Sequence, residues 1–195
     1  MKRLFDILIS LAILLLLSPL WLFLALVISL ESPGGPFYLQ ERIGLKGIPF
    51  KIYKFRSMRV GSDQQGLLTV GASDSRITKS GKLLRKYKLD EFPQLLNVLK
   101  GEMSLVGPRP EVAKYVKLYN SEQKKVLDIK PGITDWASLE YFEENELLAK
   151  STNPDKTYIE EIMPAKLALN MKFIQNPGLS AYFRIIWATL RKIIS

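Results

Sequence analysis

The stretch from Ile7 to Leu30 carries no charged residue, and it limits the folds open to this chain more than any other feature. As one helix it would be about 36 Å long, enough to cross a hydrocarbon core of roughly 30 Å. A secretory signal peptide fits less well, because the apolar run is too long and no small-x-small cleavage site is evident. Ser18-Pro19 falls in the middle of the run. Proline there removes one backbone hydrogen bond and clashes with the preceding turn, so a kink is predicted. The Ser18 hydroxyl can then satisfy a freed carbonyl. Lys2 and Arg3 precede the run, and Arg42, Lys46, Lys51, Lys54, Arg56 and Arg59 follow it. Cations on both sides define no positive-inside direction. Two topologies stay open: a kinked span, or a helix-break-helix that dips into one leaflet and returns with both basic ends on one face.

The 195 residues suggest one domain, or one domain with an anchor. Cysteine and histidine are both absent. This excludes disulfides, thiolate and imidazole metal sites, and His-dependent triads. Acid–base work must fall to Asp, Glu, Lys, Tyr or a metal-bound water. A formal net charge of +9 suits nucleic acid, an anionic membrane surface or a phosphorylated substrate. The apolar N-terminus argues against nucleic acid.

Glu31 to Pro36 is a turn cluster that ends the apolar run. Lys51-Ile52-Tyr53-Lys54-Phe55-Arg56 alternates as a short strand, either a phosphate- or membrane-facing rim or a basic strand edge that deters sheet pairing. Residues 61–75 read as a mobile loop. Arg76 to Lys88 holds six cations and no acid. Thr78 or Ser80 caps a helix predicted from about Gly81 toward Asp90. Phe92, Leu95, Leu96 and Leu99 share a helical face suited to core or membrane-interface packing, and Gly101 stops that helix. Residues 111–128 have helical spacing, and 158–174 predict an amphipathic helix delayed or kinked at Pro164. Leu179 to Ile194, with Tyr182, Phe183 and Trp187 among cations, suits an interfacial helix or a core helix.

Asp90-Glu91 carries the chemistry. Neighbouring side chains on a helix point about 100° apart, so the two carboxylates approach one metal ion or phosphate from different sides. Mg²⁺ is often held by one or two carboxylates plus substrate phosphates, and a carboxylate can itself attack phosphorus. Alone, the pair equally describes a charged helix start favoured by the helix dipole. Arg85, five residues upstream, offers a bidentate guanidinium for a diphosphate. Prolines on both sides of Arg109 restrict its backbone, so less entropy is lost when it binds phosphate; alone, this too is an ordinary surface turn.

The ordered run from Lys88-Leu89-Asp90-Glu91-Phe92-Pro93-Gln94 to Pro108-Arg109-Pro110 resembles the heart of the bacterial small monotopic phosphoglycosyl transferases, the bacterial sugar transferases. Ser18-Pro19, Lys54-Phe55-Arg56-Ser57-Met58 and Pro131 to Ala137 resemble further landmarks, although many members have Gly where Asp135 stands. That departure puts sugar or nucleotide contacts near Asp135 in doubt. The resemblance implies an α-rich monotopic fold with short β elements and interfacial amphipathic helices. Residues 1–32 would form a re-entrant membrane helix broken at Ser18-Pro19, with Trp21 and Phe23 near the bend. Residues 33–195 would form a membrane-interface catalytic domain on the cytoplasmic face of the bacterial inner membrane. It implies transfer of a sugar 1-phosphate from a UDP-sugar to a polyprenol phosphate such as undecaprenyl phosphate, with release of UMP, as the first membrane step of a glycan that downstream glycosyltransferases extend. Asp90 would be the nucleophile, Asp90 and Glu91 the Mg²⁺ ligands, and Arg85, Arg109, Lys54 and Arg56 the phosphate binders. Glu91 would serve metal placement or the acceptor's approach. Two other readings use the same features: a non-enzymatic basic membrane adaptor in glycan assembly, and a metal-dependent membrane phosphohydrolase.

Overall fold

The apolar run forms two helices, α1 (Lys2–Leu16) and α2 (Ser18–Glu31), bent by 66° at the break. Neither is long enough to cross a bilayer alone: 15 residues of α1 rise only about 22 Å. The break has the predicted cause. Pro19 enters the first turn of α2, where a missing N–H costs nothing. Ser18 Oγ donates to Leu15 O at 2.8 Å. The structure, a computed structural model, describes residues 1–71 and 74–194.

A hairpin follows, β1 (Phe37–Ile43) paired antiparallel with β2 (Pro49–Phe55), so the predicted strand is present. Next come α3 (Lys79–Lys86), α4 (Gln94–Lys100) and β3 (Ser104–Val106). Thr78, not Ser80, caps α3 by accepting from Gly81 N at 3.0 Å. Gly101 ends α4 in the left-handed region (φ 87°) as predicted. The helix expected over 111–128 does not form. Short α5 (Ala113–Val116) and a 3-10 turn over Gln123–Asp128 stand in its place. Between them Asn120 and Gln123 exchange side-chain bonds with each other's backbone N–H, an alternative to the helical ladder. Then β4 (Gly132–Thr134) pairs parallel with β3, followed by α6 (Trp136–Glu140), α7 (Glu144–Ala149) and α8 (Pro154–Thr157). A π-helical turn over Tyr158–Ile162 absorbs Pro164 before α9 (Met163–Gln175), and α10 (Leu179–Ile194) closes the chain. The fold is therefore helix-rich with two short sheets, as expected.

The main core joins Ile52 of β2, Leu95 and Val98 of α4, Leu105 of β3 and Tyr182 and Ile185 of α10, with Phe5, Ile9 and Ile13 of α1 packed against it. The pivot is Asp6, 3% exposed on α1. Its carboxylate accepts from Ser104 Oγ, from Leu105 N at 2.9 Å and from Tyr182 OH at 2.8 Å. Arg3, counted from sequence as a membrane-flanking cation, donates to the C-terminal carbonyls of α4, Val98 O at 2.5 Å and Leu99 O at 3.0 Å. Trp21 lies near the bend as expected, its backbone N–H donating to Leu17 O at 3.0 Å, and its ring packs edge-on against Phe55 and Phe92, tying α2 to the elements that carry the site. Phe23 is exposed. The Asp6→Asn variant keeps the shape but turns one acceptor into a donor facing donors. It should lose about 1–3 kcal/mol, read as a lower melting temperature in detergent; an unchanged melt would show that Asp6 does not pin α1.

Candidate active site

The helix predicted to run from Gly81 to Asp90 stops at Lys86. Lys88 takes a left-handed backbone (φ 54°), and Leu89–Glu91 form a 3-10 turn before α4. A non-glycine residue in that region is uncommon and marks a constrained turn. The Lys88 ammonium lies 4.7 Å from the Phe142 ring centre, which helps hold it. The turn re-aims the two carboxylates into different surroundings.

Glu91 is locked into an ion pair. Arg109 Nη1 donates to its Oε2 at 3.0 Å, Arg109 Nη2 donates to its Oε1, and Lys54 Nζ lies 3.7 Å away. Burial alone would push the Glu91 carboxyl up, but Arg109 and Lys54 outweigh it and hold the group well below the usual carboxylate range. The Glu91 carboxylate in turn raises Arg109 above the ordinary guanidinium range. Burial lowers Lys54 to about 8 against the pull of Glu91.

Asp90 is 6% exposed and forms no ion pair within 4.0 Å among the described residues. Burial and the Glu91 charge raise its pKa, opposed by Lys54, Arg85 and Lys88. It lines a cleft with Lys54, Arg59, Arg76 and Arg85. Arg85 donates to two hydroxyls, Thr69 Oγ1 at 2.7 Å and Ser57 Oγ at 3.3 Å, and forms no salt bridge among the described residues. Its charge is thus left for a ligand. Arg56 is spent differently: Nε donates to Gly35 O and Nη2 to Gly34 O and Phe37 O, which staples the turn after α2. Arg85, Lys54 and Arg109 therefore converge on the carboxylates, while Arg56 faces the same cleft as a brace. Ser18 and Pro19 belong to the helix break. No group of three or more acidic side chains forms a metal cage among the described residues. Asp90 has the oxygen ligand Mg²⁺ requires; Glu91, with both oxygens on Arg109, is already engaged.

The Pro108-Arg109-Pro110 turn is held at the end of the β3–β4 pair. A Cβ on Gly132 would sit 2.0 Å from Gly107 N, so only glycine permits this approach. Just beyond β4, Asp135 is fully buried; it accepts from Arg109 N at 3.2 Å and caps α6 through Ser138 N. The residue that departs from the family pattern is thus a support for Arg109. The 61–75 stretch is a loop as predicted, with a 3-10 turn over Ser62–Gln65 and with residues 72 and 73 outside the described residues. Arg76 donates to the carbonyls of Gly66 at 2.8 Å and Leu68 at 2.6 Å, drawing the stretch over the site as a strap. Sequence reasoning missed Arg42, which donates to Pro110 O and pairs with Glu111 at 3.1 Å, bracing the same turn from β1. No local pattern marks Arg42 for this, because its partners lie 68 and 69 positions away.

The bacterial sugar transferase family model matches residues 1–195. The chain belongs to the bacterial sugar transferases. An uncharacterized sugar transferase, EpsL, of Bacillus subtilis is 45% identical over 139 residues, covering 71% of this chain and 68% of the relative. A UDP-N-acetylgalactosamine-undecaprenyl-phosphate N-acetylgalactosaminephosphotransferase of Aeromonas hydrophila is 38% identical across 100% of this chain, which spans 44% of that protein. A UDP-glucose:undecaprenyl-phosphate glucose-1-phosphate transferase of Caulobacter vibrioides is 34% identical across 100% of this chain and 70% of its own length. The Aeromonas and Caulobacter proteins share undecaprenyl phosphate in their names and differ in the sugar, so relationship alone selects no sugar here.

Proposed function

We infer that this bacterial sugar transferase moves a sugar 1-phosphate from a UDP-sugar to undecaprenyl phosphate in two displacements. The observation that carries the inference is the division of two adjacent carboxylates: Glu91 is neutralised by Arg109 and Lys54, while Asp90 faces a basic cleft without an ion pair among the described residues. In the first step an Asp90 oxygen attacks the sugar-side phosphorus. The bond to the UMP oxygen breaks, UMP leaves with its electron pair, and an acyl phosphate joins the sugar to Asp90. In the second, an oxygen of the lipid phosphate attacks that phosphorus and returns the Asp90 carboxylate. Arg85 orients the diphosphate, and the Glu91–Arg109–Lys54 group holds a fixed field beside it, so positioning and electrostatics lower the barrier. Mg²⁺, held by Asp90 and the substrate's phosphates, would screen the diphosphate charge.

The exposed apolar faces of α1 and α2, among them Leu15, Leu16, Leu22 and Leu30, support a re-entrant seat in one leaflet. Trp187, Leu190 and Ile194 of α10 extend an apolar surface suited to the membrane interface. On this reading residues 1–32 anchor the enzyme, residues 33–195 work on the cytoplasmic face of the inner membrane, and the lipid-linked product passes to downstream glycosyltransferases.

The test is UMP release by protein in detergent or nanodiscs, with UDP-sugars and Mg²⁺, with and without undecaprenyl phosphate. A lipid-linked sugar supports transfer. Free sugar phosphate supports a phosphohydrolase, and lipid binding without conversion supports an adaptor. The pH profile adds a second check. The cationic form of Lys54 exists below about 8, so activity should fall as pH rises through that value. Asp90, raised by burial, loses its carboxylate as pH falls, which sets an acid limb above the usual carboxylate range. Lys54→Arg should move the alkaline limb up by about one unit or more; an unmoved limb would assign it to another group.

A further inference from the structure

A second cavity adjoins the Asp90 cleft. Arg42, Leu67 and Thr69 line both, and Arg109 lines the second while holding Glu91. Two of its tyrosines have their hydroxyls engaged, Tyr115 on Asp155 at 2.7 Å and Tyr158 on Glu111. Their rings pack on each other at 4.8 Å with a 53° tilt. No parallel slot for a planar base opens between them. Among the other polar groups of the lining, Glu144, Lys166 and Asn170 lie together with the apolar Met163 and Leu167. Lys166 Nζ donates to Glu144 Oε2 at 2.6 Å, and Asn170, 5% exposed, has a side-chain oxygen without a hydrogen-bond partner. A buried amide oxygen left unpaired calls for a partner.

The chemistry of these groups is selective. An anion beside a cation suits neighbouring hydroxyls, since each hydroxyl both donates and accepts. A uracil ring would also find partners here, through its N3–H and carbonyl oxygens, but the tilted tyrosine pair offers it no slot between two parallel rings. A carboxamide such as Asn170 matches a second amide, accepting from its N–H and donating to its C=O. Met163 and Leu167 in the same lining give a methyl group an apolar seat.

We propose that this cavity is the sugar subsite of the donor and that Asn170 selects a sugar bearing an acylamino group. The proposal rests on the transfer reading above and adds the substrate class. It is tested by comparing kcat/KM for UDP-N-acetylglucosamine and UDP-N-acetylgalactosamine with UDP-glucose and UDP-galactose, using the full chain and undecaprenyl phosphate. A site built around a substrate amide rejects the analogue lacking it strongly, so at least one N-acetyl donor should exceed the plain hexoses by about 100-fold or more. Asn170→Leu should shrink that ratio to within about fivefold. Equal or better use of a plain hexose overturns the proposal and leaves transfer standing. So does an Asn170→Leu variant that weakens all UDP-sugars alike together with inhibition by UMP, because the cavity would then hold uracil. Thermal protection by the same nucleotides supplies a readout without turnover. If no donor reacts, selective protection by an N-acetyl donor keeps the subsite and removes the transfer reading; equal protection by all donors removes both.

Discussion

Asp90→Asn should lower UMP release by about 10⁴-fold or more, the scale expected when a covalent nucleophile is lost. The same variant should fold at least as well as the native chain. Asp90 is buried beside Glu91, and both burial and that neighbour disfavour its charge. Replacing it with a neutral amide of the same shape removes that penalty. Its cationic neighbours Lys54, Arg85 and Lys88 offset part of the gain, so the melting temperature should be equal or slightly higher. Loss of activity with retained or raised stability is the mark of a group kept for chemistry. A variant that lost activity only because it unfolded would give Asp90 a structural role, and a variant with substantial turnover would remove it as nucleophile.

The second large effect lies in the neighbouring pair. Arg109→Met leaves the Glu91 carboxylate buried, with side-chain exposure of 15% and only partial compensation from Lys54 and Lys88. Removing one partner of such a pair costs about 3 kcal/mol, discounted for the partial exposure of Arg109. The Glu91→Gln/Arg109→Met double variant should recover more than half of that loss, because no uncompensated charge remains. Its activity should nonetheless stay low, since the field beside Asp90 has gone with the pair. Melting curves in detergent for the two single variants and the double variant measure the coupling. Additive losses would show that the pair contributes nothing jointly.

The candidate site residues were legible in the sequence because they stand in short ordered runs. Asp90-Glu91, Arg85 and Pro108-Arg109-Pro110 do meet in space. Ser18-Pro19 breaks the apolar run through the local chemistry expected of it. What could not be read was how charges are divided among partners. Arg3 looks like a membrane flank and is a helix cap. Arg56 sits in a family landmark and braces a turn. Glu91, expected as a metal ligand, is also held by Arg109. Each assignment depends on contacts distant in sequence. Helix prediction failed for related reasons: the left-handed backbone at Lys88 overrides the cationic helix pattern, and local side-chain bonds at Asn120 and Gln123 replace a ladder over 111–128. Asp135 shows the opposite case, a departure from the family pattern that becomes clear once its bond to Arg109 N is seen.

The most direct test of the central claim is to trap the intermediate. The full chain is incubated with a UDP-sugar and Mg²⁺ in the absence of undecaprenyl phosphate, quenched in acid and measured by intact-protein and peptide mass spectrometry. The account predicts a mass gain equal to one sugar phosphate, located on the peptide containing Asp90, lost on addition of undecaprenyl phosphate and absent from Asp90→Asn. UMP release and lipid-linked product with no such adduct, or an adduct on another residue, would contradict it.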